Sequence, residues 1–167
     1  MVKTICNLTL SGKNLRMLRQ ISLLLFSVWL LTCCDSSTIM HSYQPLKEKC
    51  WDRSDTLTFT LPTLDNNDRC HALIGLRVTD NFPYEMLILE IEQNYRKPFR
   101  HRVDTVRYML TDKRGEFTEK GINYFQYETQ GVPLSLEKGQ TGNLRIRHLM
   151  HRETIPGIMD VGIHVIR

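Results

Sequence analysis

Met86-Leu87-Ile88-Leu89-Glu90-Ile91-Glu92-Gln93 is the stretch that decides the fold. Leu87, Leu89 and Ile91 recur at every second position, with Glu90 and Glu92 between them, which is the period of a β-strand buried on one face and wet on the other. The same alternation extends outward in both directions. Upstream, Ala72, Ile74, Leu76 and Val78 predict a strand closed by Asp80-Asn81-Phe82-Pro83. Before it, Leu57, Phe59 and Leu61 alternate with threonines and stop at Pro62, ahead of the turn-forming run Asp65-Asn66-Asn67-Asp68. Downstream of a basic loop from Arg96 to Arg102, Val106, Tyr108 and Leu110 alternate with Thr105, Arg107 and Met109, and Asp112-Lys113-Arg114-Gly115 predicts a tight turn. A short strand is expected around Asn123 to Tyr127. Another spans Gly142 to Met150, with Leu144, Ile146 and His148 on one face and Arg145 and Arg147 on the other. The last runs from Met159 to Ile166, with Val161, Ile163 and Val165 inward and Asp160 and His164 outward. About seven short strands separated by turns, with no helical pattern longer than two turns, predict an all-β fold. The expected architecture is an antiparallel β-sandwich with a jelly-roll or Greek-key connection over residues 47–167.

Charge adds an address. The 167 residues carry 22 Lys and Arg against 18 Asp and Glu, a net charge of +4. Lys3, Lys13, Arg16 and Arg19 all precede the apolar run Ile21 to Leu31, and no acidic residue occurs before Asp35. Setting those four aside leaves 18 basic and 18 acidic side chains from Cys34 onward. A neutral domain lacks the clustered basic surplus that phosphate recognition needs, which argues against a nucleic-acid binder. A basic segment followed by an eleven-residue, mostly apolar run has the order of a cleaved secretory signal peptide, here residues 1–33. Eleven residues rise only about 16 Å as a helix, roughly half a hydrocarbon core, so a permanent span is not expected.

The run ends in Leu31-Thr32-Cys33-Cys34, which resembles a bacterial lipobox. Taking Cys34 as the lipid acceptor puts Leu31 three residues before it; Cys33 is the alternative. Two or three acyl chains on Cys34 would anchor the chain stably, since one chain gives only marginal membrane binding. Residues 34–46, polar from Asp35 to Tyr43, are expected to form a tether.

Several features carry candidate chemistry. With the leader gone and Cys34 acylated, Cys50 and Cys70 are the remaining thiols; they form either a disulfide, worth about 3 kcal/mol for a loop of that size, or two buried thiols. His148 and His151 are spaced like metal ligands on a helix, but on a strand they face opposite ways, so no metal site is expected. The chain carries no nucleophile elbow, paired-carboxylate spacing or phosphate loop, so neither a cofactor nor an enzyme activity is expected. The basic run Arg96-Lys97-Pro98-Phe99-Arg100-His101-Arg102 reads either as an anion-contacting surface, through Arg96, Lys97, Arg100 and Arg102, or as a solvated hairpin tip. Trp51 and the cluster Phe82, Pro83, Tyr84 read either as a sugar-stacking platform or as caps on the core.

Six segments follow one another over about 130 residues: Cys34-Asp35-Ser36; Trp51 ahead of Asp55-Thr56-Leu57-Thr58-Phe59; Asp80-Asn81-Phe82-Pro83-Tyr84; Val103-Asp104-Thr105-Val106; Leu144-Arg145-Ile146-Arg147-His148 with Met150-His151-Arg152; and Ile155-Pro156-Gly157-Ile158-Met159-Asp160-Val161-Gly162-Ile163. In this order they resemble the gliding motility lipoprotein GldH family, the closing Gly-Ile-x-Asp-Val-Gly being the most specific. The paired Cys33-Cys34, the extra Cys50 and Cys70 and a short Met150 to Ile155 loop depart from the family pattern. The resemblance implies a non-enzymatic, lipid-anchored accessory or scaffold protein of the gliding machinery, bound up with type IX secretion. Its partners would be membrane lipid, through acylated Cys34, and other envelope proteins. Relatives also occur in bacteria that do not glide, so a general envelope role stays open. Acidic residues after the lipidated Cys mark surface export in that group. Only Asp35 is acidic before Glu48, so the anchor is expected to face the periplasm. The alternative reading is a periplasmic glycan- or peptide-binding module using Trp51 and Phe82 to Tyr84.

Overall fold

Alternating apolar residues build strands from one end of the domain to the other. The computed structural model describes Ser22, residues 37–67 and residues 69–167; the rest of the leader with Cys33, residues 34–36 with Cys34, and Asp68 lie outside the described residues. No helix among the described residues is long and apolar enough to cross a membrane. Residues from Ser37 onward form one compact unit. Its strands are β1 (Thr38–Pro45), β2 (Cys50–Asp52), β3 (Leu57–Leu61), β4 (Cys70–Val78), β5 (Met86–Arg96) and β6 (Arg100–Met109), then β7 (Phe125–Glu128), β8 (Val132–Leu134), β9 (Thr141–His148), β10 (Thr154–Pro156) and β11 (Ile158–Ile166).

Two sheets carry the core. The first has the order β1-β11-β4-β7, with β8 also pairing β4; the second is β3-β9-β5-β6; β2 and β10 form a two-stranded ribbon. Every ladder is antiparallel. Setting aside the short β2, β8 and β10, the first strand pairs with the last, the second with the seventh, the third with the sixth and the fourth with the fifth. A long hairpin folded over so that its arms alternate between two sheets gives this pairing, which is a jelly roll. The expected sandwich is therefore present, with eleven strands among the described residues rather than about seven.

The extra strands have clear physical causes. Residues 38–45, expected to belong to the tether, form β1 at the edge of the first sheet, paired with β11. A register shift between Thr38 and Met40 breaks the period of two, and half-burial leaves few apolar side chains to mark it. The strands β2, β8 and β10 are three residues each, too short to show a period. The basic run is not a loop: Arg96 ends β5 and Arg100 opens β6, leaving a turn of Lys97, Pro98 and Phe99.

Leu87, Leu89 and Ile91 of β5 are fully buried, and the same face continues through Gln93 and Tyr95. Burying those polar groups requires partners. Gln93 donates to Asp104 Oδ2 at 2.8 Å and accepts from the Tyr95 hydroxyl at 2.5 Å. Tyr108 donates to the Ile74 carbonyl and Tyr127 to that of Leu110, tying the first sheet to the second and to its edge. On the outside of the first sheet, Gly162 and Gly75 are cross-strand partners, and the ring of Tyr43 lies over both. A Cβ on Gly162 would come within 2.6 Å of that ring, and one on Gly75 within 2.3 Å of its hydroxyl. Arg77 closes the stack, its guanidinium 4.2 Å from the ring centre.

His148 is fully buried, edge-on to Trp51 with ring centroids 5.5 Å apart. Burial pushes its pKa below the ordinary 6.5, outweighing the favourable influence of backbone groups at Trp51 and Glu153 and the charge of Asp52. The unfolded chain takes up a proton below pH 6.5 while the folded chain resists it. The stability carried by neutral His148 is thus complete above that pH and is lost as the pH falls toward its lower folded value, by up to about 1.4 kcal/mol per pH unit. Urea unfolding between pH 7.5 and 5.5 should show this acid slope in the wild type and a shallower one in His148→Leu. An equal slope in both would assign it to other groups.

Candidate functional site on the outer face of the second sheet

Because Leu87, Leu89 and Ile91 point inward, Glu90, Glu92 and Asn94 must point out, and β9 likewise presents Asn143, Arg145 and Arg147. The register sets Glu90 opposite Arg147, Glu92 opposite Arg145 and Asn94 opposite Asn143. Arg147 Nε lies 2.6 Å from Glu90, Arg145 Nη1 2.9 Å from Glu92, and His101 Nε2, from β6, 3.1 Å from the other oxygen of Glu92. The Asn94 and Asn143 side chains meet at 3.4 Å. Burial would raise the Glu92 carboxyl, but the hydrogen bond from Asn94 and the charges of Arg145 and His101 outweigh it and hold the group below the usual glutamate value. The hydrogen bond and charge of Glu90 raise Arg147 in turn.

Two adjoining depressions run over this ladder and share Glu92 and Arg145. One of about 530 Å³ reaches Thr60, Arg96 and Phe99; the other, of about 250 Å³, reaches Thr56 and Arg147. Phe99 stands 77% exposed at one end. Exposed ion pairs add only about 0–1 kcal/mol each to stability, so an ordered ladder of four charged strand positions has more consequence for what the face can bind than for folding. It offers donors and acceptors of both signs on a rigid sheet, together with one exposed aromatic ring.

The residues singled out from the sequence are redistributed. Trp51 is fully buried, its indole N–H donating to the Asp55 carbonyl at 2.9 Å. Phe82 is buried too, edge-on to a half-buried Tyr84 with centroids 5.7 Å apart. Trp51 and Phe82 therefore cap the core and offer no stacking platform. Strand alternation splits the basic run: Arg96 lines the groove, while Arg100 and Arg102 turn to the other side of β6, pairing with Glu137 at 2.6 Å and Asp104 at 2.8 Å. Lys97 sits in the turn between β5 and β6. Cys50 opens β2 beside Pro156, and Cys70 opens β4 beside Leu134, at the end of β4 away from the ribbon. A nine-residue strand spans about 30 Å, far beyond the Cα separation a disulfide tolerates, and no disulfide joins them. His148 is buried and His151 is exposed. The groove residues Glu90, Glu92, Asn94, Asn143, Arg145 and Arg147 escaped selection because their pairing depends on register; the signal available was the match of outward acids on β5 with outward arginines on β9.

No solved structure matches the chain. The chain is 26% identical to the gliding motility lipoprotein GldH of Flavobacterium johnsoniae over 150 residues, covering 86% of this chain and 93% of that protein. A family model described as GldH lipoprotein matches residues 38–165, from the first residue of β1 to the penultimate residue of β11. The aligned region is thus the whole jelly roll, and the chain belongs to the GldH lipoprotein family.

Proposed function

We propose that this protein is a non-enzymatic, lipid-anchored scaffold of the cell envelope, facing the periplasm, which holds a protein partner of the gliding and type IX secretion machinery on the outer face of β3-β9-β5-β6. The observation that carries this reading is the contiguous groove over Glu90, Glu92, Arg145 and Arg147, ended by exposed Phe99. Alternating charge fixes register and selects against wrong partners, and an aromatic ring at the end supplies an anchor. The family and the relative named for gliding motility supply the biological setting. A glycan-binding reading draws on the paired amides of Asn94 and Asn143 in the same groove.

Cross-linking in intact cells tests both. Arg145→Gln with Arg147→Gln should leave the fold nearly as stable, remove one cross-linked protein and impair the motility or secretion that depends on it. Cys34→Ala should move the protein out of the membrane fraction. An unchanged cross-linking pattern would refute the docking face. Capture of a defined oligosaccharide that the double variant no longer binds would favour the glycan reading instead.

A further inference from the structure

The outer face of the first sheet gathers three side chains that no sequence motif connects. His41 on β1 and His164 on β11 are direct cross-strand partners, with ring centroids 4.7 Å apart and planes inclined by 31°. Glu128 ends β7 opposite Gly75 of β4, which has no side chain to stand between the carboxylate and β11. Its Oε1 lies 3.5 Å from His164 Nδ1. One ligand atom from each of the three lies within 4.8 Å of the others.

We propose that His41, His164 and Glu128 bind a divalent transition-metal cation of the zinc class. Two imidazoles and one carboxylate are a nitrogen and oxygen donor set that suits Zn²⁺ and is poor for Mg²⁺ or Ca²⁺, which take oxygen ligands. Thr38 Oγ1 sits 3.0 Å from His164 Nε2, so the ring nitrogen facing away from Glu128 already has a partner. Metal-binding histidines are oriented in this way, the second nitrogen held while the first is left for the ion. All three residues stand on strands, and Tyr43, seated on Gly162 and Gly75, packs beside His41 with ring centroids 5.4 Å apart. Donor atoms around tetrahedral zinc stand about 3.4 Å apart, closer than the 4.8 Å within which these donors now lie, and the His41 and Glu128 side chains that would have to close in are both exposed. The carboxylate offsets part of the ion's charge, and a fourth position is left for water. Bound metal would join β1 to β11 and to β7, fastening the edge strand that leads the chain into the sandwich.

Titration of ZnCl2 into the chelator-treated full chain in detergent, followed by calorimetry and thermal unfolding, tests the site. One equivalent should bind at micromolar concentration or tighter and raise Tm. His164→Ala and His41→Ala should each abolish binding at that concentration, Thr38→Val should weaken it about tenfold, and His151→Ala should bind as the wild type does. Co²⁺ should give the visible absorption of a tetrahedral complex, lost in the same variants. Should His164→Ala not fold, Thr38→Val and Glu128→Gln decide the question in its place. Absence of stoichiometric binding, or binding equally strong in the His41 and His164 variants, would overturn the proposal.

Discussion

Gly157→Ala is expected to destabilise the domain by about 3 kcal/mol or more, a large part of the about 5–15 kcal/mol that holds a domain of this kind together. Gly157 lies between β10 and β11 with φ at +86°, a conformation that L side chains rarely adopt. Space is refused as well: a Cβ there would stand 2.4 Å from the backbone nitrogen of Phe82 and 2.8 Å from the carbonyl carbon of Asn81. These are main-chain atoms of the turn between β4 and β5, so no side chain can swing aside. The same glycine accepts a hydrogen bond from Thr79 N–H at 2.7 Å and donates its own N–H to the Lys49 carbonyl at 2.9 Å. Displacing it would loosen three segments together. Chemical denaturation should show the loss as a lower midpoint, and a midpoint within experimental error of the wild type would disprove the packing account.

Trp51→Ala is expected to cost about 3–5 kcal/mol. Trp51 is the largest fully buried side chain, opposite Ile155 in the ribbon and against His148 of the second sheet. Removing the indole leaves a cavity among residues held by two sheets and a ribbon, and it takes away the donor that reaches the Asp55 carbonyl. Urea unfolding measures the loss. A surface tryptophan used for binding would behave in the opposite way, leaving stability almost untouched while abolishing a ligand.

The strands that could be read in the sequence were those with one dry and one wet face. In β5 every second residue is buried, as are Val161, Ile163 and Val165 of β11, so the pattern of side chains carried the architecture. The edge strand β1 could not be read this way: its residues are half-buried or exposed and none is fully buried, and His41, Ser42, Tyr43 and Gln44 look like a linker until β11 supplies their partners. Trp51 and Phe82 were visible as aromatics but not as buried ones, because what covers them comes from segments about 70 to 100 residues away. The same holds for the charged ladder. Outward glutamates on β5 and outward arginines on β9 are legible separately, but only the register shows that each acid meets a base. His41 and His164, far apart in the sequence, meet only because the first strand pairs with the last.

That first-to-last pairing also sets how the domain would respond to being pulled. Arg167 N–H donates to the Ser37 carbonyl at 3.0 Å, so residues 37 and 167 lie at the same end of the sandwich, while Gly157 and the Asp80 to Tyr84 turn lie at the other. A force applied between residue 37 and that far end runs along the axis of β1. Its cross-strand bonds to β11 are then loaded in parallel and must yield together, whereas traction between the two termini would open the same ladder one bond at a time. Held at residue 37 and loaded at that far end, the jelly roll would act as a shear joint.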